Sequence, residues 1–263
     1  MIGRVLALGR NTFREAVRDR VLYLLLLFAL ALIFSALALG QLSLHEQTRV
    51  TRDVGLGGIA LFGVLIAIFV GASLLYKELD KKTIFTLACR PIFRHELILG
   101  KFVGISLTLA VQIAIMAVTL GAVLTLQGAE VDAAIARAVL LTFLEVVVVS
   151  AMAILFSSFS SPILSGGFTL GLFVIGRSVP ELRELIGKVA SPALRGGLGA
   201  MLHLVPDLRL FAVSGSLVDG RYASVHGDFV SWLYVGAAAI YALGYAAVVL
   251  TLASLLFARR DFT

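Results

Sequence analysis

Residues Lys77 to Lys101 read KELDKKTIFTLACRPIFRHELILGK, a charged stretch set between the uncharged runs 55–76 and 102–126. It holds six of the 22 basic residues, three acids and His95. Apolar side chains interleave with the charges: Leu79, Ile84, Phe85, Leu87, Ile92, Phe93 and Leu97. That spacing predicts short amphipathic helices broken at Pro91. A charged loop between two membrane spans either fixes orientation by its positive charge or gives a soluble partner a surface to grip. This loop is expected to do both.

Composition sets the class around that loop. The chain is 60% hydrophobic and 14% charged, where soluble domains carry roughly 25% charged residues. Several uncharged runs reach the roughly 20 residues that cross a hydrocarbon layer. They are too long and too uniformly apolar for barrel strands, which alternate over about ten residues. The fold class is therefore all-α: a polytopic membrane protein with six transmembrane helices, an N-terminal interfacial helix, and amphipathic extracytoplasmic helices before the last span. The formal charge of +6 suits anionic headgroups. It does not point to nucleic acid, because the basic residues are dispersed among the loops. Cys89 is the only cysteine, so no disulfide forms within the chain, and the four histidines have no metal-ligand spacing.

Residues 1–20 place Ile2, Val5, Leu6, Phe13 and Val17 at helical spacing, with Arg4, Arg10, Arg14, Arg18 and Arg20 largely between them. They are expected to form an amphipathic helix in the cytoplasmic interface, not a cleavable signal peptide. Residues 21–263 are expected to form the six-helix domain, with spans at about 21–40, 55–76, 102–126, 133–157, 162–179 and 229–257. Glycines at 55, 57, 58, 63 and 71 suit close helix packing in the second span. The fifth span follows a Ser-rich turn ending in Pro162 and is short, so it is expected to be thin, tilted or shielded. Segment 181–228 carries Leu182, Leu185, Ile186 and Val189, then Leu194, Leu198, Met201, Leu202 and Val205, at helical spacing. Those pieces lie at the surface or dip part-way in under the protection of protein. Trp232, Tyr234, Tyr241 and Tyr245 read as part of an interfacial aromatic belt.

Glu145 is the intramembrane polar candidate. At 1.5 Å per residue it sits roughly 15–18 Å along the fourth span, where a carboxylate is expensive. It must face a helix interface or a wet cavity, or hold a proton. Its role is gating or substrate contact, or a structural hydrogen bond to a neighbouring helix, unless the span boundary lies elsewhere.

Six spans put both termini on one side. Five basic residues precede the first span, six lie in 77–101 and two close the chain. The other side holds Arg49, Arg52, Arg137 and six more between Arg177 and Arg221, mostly in a long connection that counts for less in orientation. Both termini are thus expected in the cytoplasm.

In this order the segments resemble the permease subunits of the ABC-2 type transporter family, and within it the six-span, NosY-like branch of nitrous-oxide-reductase maturation. The resemblance covers essentially the whole chain. NTFREAVRDRVLY at 11–23 looks like the interfacial connecting helix. The 77–101 loop looks like the family's first cytoplasmic loop, with Glu78, Thr83-Ile84, Arg90-Pro91, Arg94-His95-Glu96 and Gly100-Lys101. HLVPDLRLF at 203–211 is similar to the Pro-containing last extracytoplasmic connection, and LFARRDF at 256–262 to the C-terminal ending.

The resemblance implies a transmembrane subunit without its own ATPase, and the sequence has no G-x-x-x-x-G-K-[ST] phosphate loop. ATP and Mg²⁺ are expected on a separate cytoplasmic ABC subunit, present in two copies beside a second permease copy, with no cofactor and no metal on this chain. A homodimer in a bacterial or archaeal inner membrane is implied. The coupling helix falls within 78–94. Its polar contacts are expected from Glu78, Lys81, Lys82, Arg90 and Arg94, and its apolar anchors from Ile84, Phe85 and Ile92. The same charges also serve as topology determinants and headgroup contacts. Export of a lipid, glycan, peptide, drug-like or other hydrophobic substrate is the leading expectation. The alternative is a mechanotransmitting subunit that drives a periplasmic partner through 181–228 with nothing translocated. A membrane enzyme would need a catalytic constellation, and only Glu145, His203 and Asp207 stand out, as isolated residues.

Overall fold

The computed structural model describes residues 2–42, 47–80, 94–129, 131–188, 191–212, 214–218, 221–224 and 231–258. Helix α1 spans Ile2–Val17, α2 Arg20–Leu42, α3 Gln47–Asp80, α4 Arg94–Leu126 and α5 Ala133–Ser157. Then come α6 Pro162–Arg177, α7 Val179–Gly187, α8 Pro192–Leu204, a 3₁₀ turn Leu208–Phe211, strands β1 Ser214–Val218 and β2 Arg221–Ser224, and α9 Trp232–Ala258. Among the described residues the regular elements are helices apart from the β1–β2 antiparallel hairpin, a small element that the amphipathic reading of 181–228 does not anticipate.

Helices α2, α3, α4, α5 and α9 are each long and apolar enough to cross a bilayer. Their directions follow from named contacts. The Thr51 hydroxyl donates to the Ala36 carbonyl (3.3 Å) and accepts from Gln127 Nε2 (3.0 Å), so α3 begins where α2 and α4 end. Helix α5 runs parallel to α3: Arg52 pairs with Asp132 at one end (3.8 Å), and Ser157 Oγ donates to the Ala72 carbonyl (3.2 Å) at the other. Between them the helices close in, such that a Cβ on Gly71 would lie 2.5 Å from Ala153 Cβ. The Arg137 guanidinium lies over the Trp232 ring at 5.7 Å, so α9 starts at the end where α5 starts.

The last contact settles the number of crossings. Helix α5 finishes at the far end and α9 begins at the near one, so the chain must cross back between them. Helix α6 makes the first part of that return. It then bends by 66° into α7, so the fifth crossing is a broken one. Beyond α8 the segment 204–210 climbs along α9. The Tyr245 hydroxyl donates to the Leu204 carbonyl (3.2 Å), the Asp207 N–H donates to the Tyr241 hydroxyl (3.0 Å), and the Tyr234 hydroxyl donates to the Leu210 carbonyl (2.7 Å). Tyr245 lies about 20 Å along α9 from its start. The irregular backbone therefore dips well inside, and the tyrosine hydroxyls of α9 satisfy its backbone groups there. Close approach completes the seam: a Cβ on Gly176 would lie 2.8 Å from the Pro206 carbonyl oxygen. The tyrosines, expected as an interfacial belt, face this segment.

Helix α5 is the hub. It packs against α3, α4, α6 and α9, and its face from Glu145 to Ile154 is buried without a break. Helix α1 docks against α4. Its buried side is a row of small residues, Gly9, Thr12 and Ala16, while Arg4, Arg10 and Arg14 are exposed. A Cβ on Gly104 would lie 2.6 Å from the Gly9 carbonyl oxygen, and one on Gly100 would lie 2.5 Å from Leu8 Cβ. Arg4 reaches the buried Glu96 at 3.8 Å across the same seam.

Candidate functional site

The charged stretch 77–101 is shorter as a loop than its sequence suggests. Helix α3 continues to Asp80 and α4 already begins at Arg94. Hydropathy marks where the lipid ends, and the good helix formers Lys and Glu carry the helix past that point. Glu78 falls in the last turn of α3 and Arg94 opens α4. Lys81, Lys82, Ile84, Phe85, Arg90 and Ile92 lie outside the described residues. Gly100 and Lys101 are buried on α4, the first at the α1 crossing.

Glu145 lies midway along α5, about 18 Å from either end. Its carboxylate is met by Arg177, the last residue of α6. Arg177 Nε donates to Glu145 Oε1 at 2.8 Å and Nη2 donates to Oε2 at 2.9 Å. This is a two-pronged fork, the strongest geometry open to such a pair. The side chains differ in burial: Glu145 is 1% exposed and Arg177 31%. The carboxylate is sealed inside the bundle, and the guanidinium stands in front of it, 5.6 Å from the centre of the Phe173 ring. Leaving that carboxylate unpaired among apolar helices would cost several kcal/mol, and the fork offsets that cost.

The pair lies on the wall of a cavity of about 360 Å³ between α3, α5 and α6. Helix α3 contributes one face, with Asp53, Leu56, Ala60 and Val64 a turn apart. Helix α5 contributes Ala138, Thr142 and Glu145, and α6 contributes Leu170, Phe173 and Arg177. Phe211 and Ala212 of the climbing segment line it as well. The lining is mostly apolar with a few convergent polar groups, the usual make-up of a ligand site, and the volume is at the small end of the ~300–1,000 Å³ range for such sites.

Sequence reasoning put Glu145 roughly 15–18 Å along its helix and left Arg177 among the loop charges. A signal was available. Residues 145 and 177 are equidistant from Ser161, the turn between α5 and α6. Positions placed symmetrically about the turn of an antiparallel helical hairpin lie at the same depth, and residues 146–176 between them carry no charge, so Glu145 and Arg177 were set to meet.

The family model described as ABC-2 family transporter protein matches residues 6–262. No curated protein matches the chain.

Proposed function

The chain belongs to the ABC-2 transporter family, and on that premise we propose that it is the permease of an exporter driven by ATP hydrolysis on another subunit. Membership makes it a multi-pass membrane subunit that associates with a cytoplasmic ATP-binding subunit. The finer reading is that two such subunits, carrying ATP and Mg²⁺, serve two copies of this permease in an inner membrane, with both termini cytoplasmic. The family match over nearly the entire chain carries this reading.

Residues 78–94 take the coupling role. Glu78, Lys81, Lys82, Arg90 and Arg94 contact the ATPase, and Ile84, Phe85 and Ile92 anchor the contact. Guanidinium groups offer several directed donors, and apolar anchors keep a moving contact from slipping. The position of the segment supports this, because α3 leads directly into it and α4 leads directly out. Joint reversal, Arg90→Glu with Arg94→Glu, is expected to lower ATPase copurification and coupled ATP turnover while membrane insertion stays normal. Unchanged complex yield with unchanged turnover would sink the assignment.

The cargo is a hydrophobic or amphipathic compound, of the lipid, glycan, peptide or drug-like classes. The apolar wall around a single buried ion pair supports an amphipathic cargo over a polar ion. A second reading has its own observation. Helices α7 and α8 expose Leu185 and Leu194 at 59% and 60%, a surface suited to an extracytoplasmic partner driven without translocation. Crosslinks from 181–228 to a copurifying periplasmic protein, with no transport in vesicles, would favour that reading.

A further inference from the structure

We propose that the cavity between α3, α5 and α6 binds an uncharged amphiphile by a carbonyl oxygen, an ester or an amide, with Arg177 and Thr142 as its donors. The proposal rests on the permease reading and names the class of molecule its cavity accepts.

The donors come first. The fork to Glu145 uses Nε and Nη2 of Arg177. The third nitrogen, Nη1, has no hydrogen-bond partner among the described residues, yet it is not among the buried polar atoms left without one. It therefore meets open space, and Arg177 lines the cavity. Thr142 stands one turn from Glu145 on the same helix, is 5% exposed and lines the same space. Its hydroxyl likewise makes no hydrogen bond among the described residues and is not sealed. A carbonyl oxygen has two lone pairs and accepts one bond from each group.

Charge decides the rest. Glu145 already neutralises Arg177 through two bonds, so the pair has donors to offer but no spare positive charge. A bound carboxylate or phosphate would leave a net negative charge deep in the bundle, where ions are costly. Asp53, about 15 Å nearer the outer end of α3, would add to that cost. A cationic head at the Arg177 and Thr142 donors would face the guanidinium, with the Asp53 carboxylate about 15 Å away. The neutral acceptor is the head that satisfies both donors without adding charge. For the tail, Leu61 and Leu170 line the cavity and yet are 54% and 46% exposed, so the cavity opens on an apolar side. A chain enters from there.

The test uses the full permease with its ATPase partner in nanodiscs and a diazirine-bearing fatty acid methyl ester as photolabel. Labelling is expected on the lining of α3 and α6. Methyl oleate should compete about tenfold better than 1-octadecene, the difference made by the carbonyl's hydrogen bonds. Oleate and oleylamine should compete no better than the alkene. Thr142→Val, isosteric without the hydroxyl, should weaken labelling about three- to tenfold. Gly57→Leu fills the cavity: a Cβ at Gly57 meets nothing within 4 Å, so folding is preserved, and labelling should fall about tenfold or more as apolar contacts of several methylenes are displaced. Equal competition by ester and alkene, best competition by oleate or oleylamine, or unchanged labelling of Gly57→Leu would each overturn the proposal. ATPase copurification and turnover are read on the same samples. A normal complex with no specific label removes the ligand site and leaves the permease reading standing. Loss of the ATPase association in the unmodified protein removes the permease reading itself.

Discussion

Arg177→Gln puts the buried pair to a quantitative test. Glu145 is sealed at 1% exposure, with its fork to Arg177 at 2.8 and 2.9 Å. Removing the guanidinium strands a carboxylate at mid-helix, an uncompensated buried charge that costs about 3–5 kcal/mol. Glu145→Gln is milder. Arg177 is 31% exposed and can turn its charge toward the cavity, so the loss is near that of a charged hydrogen bond, about 1.5–3 kcal/mol. The double variant, Glu145→Gln with Arg177→Gln, leaves two amides at hydrogen-bonding distance and no charge, at a cost of about 1 kcal/mol. The singles together therefore exceed the double by roughly 3–7 kcal/mol, well beyond the ~0.3–0.5 kcal/mol scatter of independent sites. The assay is equilibrium unfolding in mixed micelles, with all four proteins compared in the same detergent. Additive single and double variants would refute the pairing. A Glu145→Gln variant less stable than Arg177→Gln would refute the view that the carboxylate is the enclosed partner.

Three further outcomes follow from the packing. Tyr241→Phe leaves the Asp207 N–H without its acceptor and should cost about 1–3 kcal/mol, seen as faster amide exchange at 205–210. Tyr245→Phe and Tyr234→Phe, which strand carbonyls that retain a second lone pair, should cost less, about 0.5–1.5 kcal/mol each; equal exchange in all three variants would contradict the seam. Gly104→Leu drives a side chain into the Gly9 carbonyl and should cost at least about 1–3 kcal/mol, seen as faster amide exchange along α1. Glu145→Gln should change transport more than assembly with the ATPase, measured as vesicle flux against complex yield. If neither changes, the carboxylate has only a structural part.

The spans were legible because run length against bilayer thickness is a strong constraint, and α5 and the close of α4 fall where composition put them. Helix ends were less legible. Nothing in hydropathy separates a helix that leaves the membrane from one that stops there, so α3 ran on to Asp80 unseen. The 66° bend after Arg177 was hidden for a related reason. The fifth apolar run was read as short and hence thin, tilted or shielded, though a chain that must complete a crossing with too few helical residues has to use irregular backbone. The three tyrosines carried the answer in their spacing: 234, 241 and 245 share one face of α9, whereas a belt gathers at one depth. Partner and charge for Glu145 were also present, in the symmetry of 145 and 177 about the turn. That signal becomes visible only when two spans are read as one hairpin.

The seam between α1 and α4 has a mechanical meaning. Helix α4 starts at Arg94, at the end of the proposed coupling segment, and α1 is clamped to its opening turns where Gly9 meets Gly100 and Gly104. Any stroke delivered through that segment has α4 as its first rigid body and carries α1 along as an outrigger about 24 Å long. Were α1 to lie in the headgroup layer, α4 could tilt only if the outrigger swept sideways through lipid. Under the coupling role proposed for 78–94, the lateral pressure of the membrane would then be part of the work of each cycle, with bilayer tension and headgroup crowding as its load.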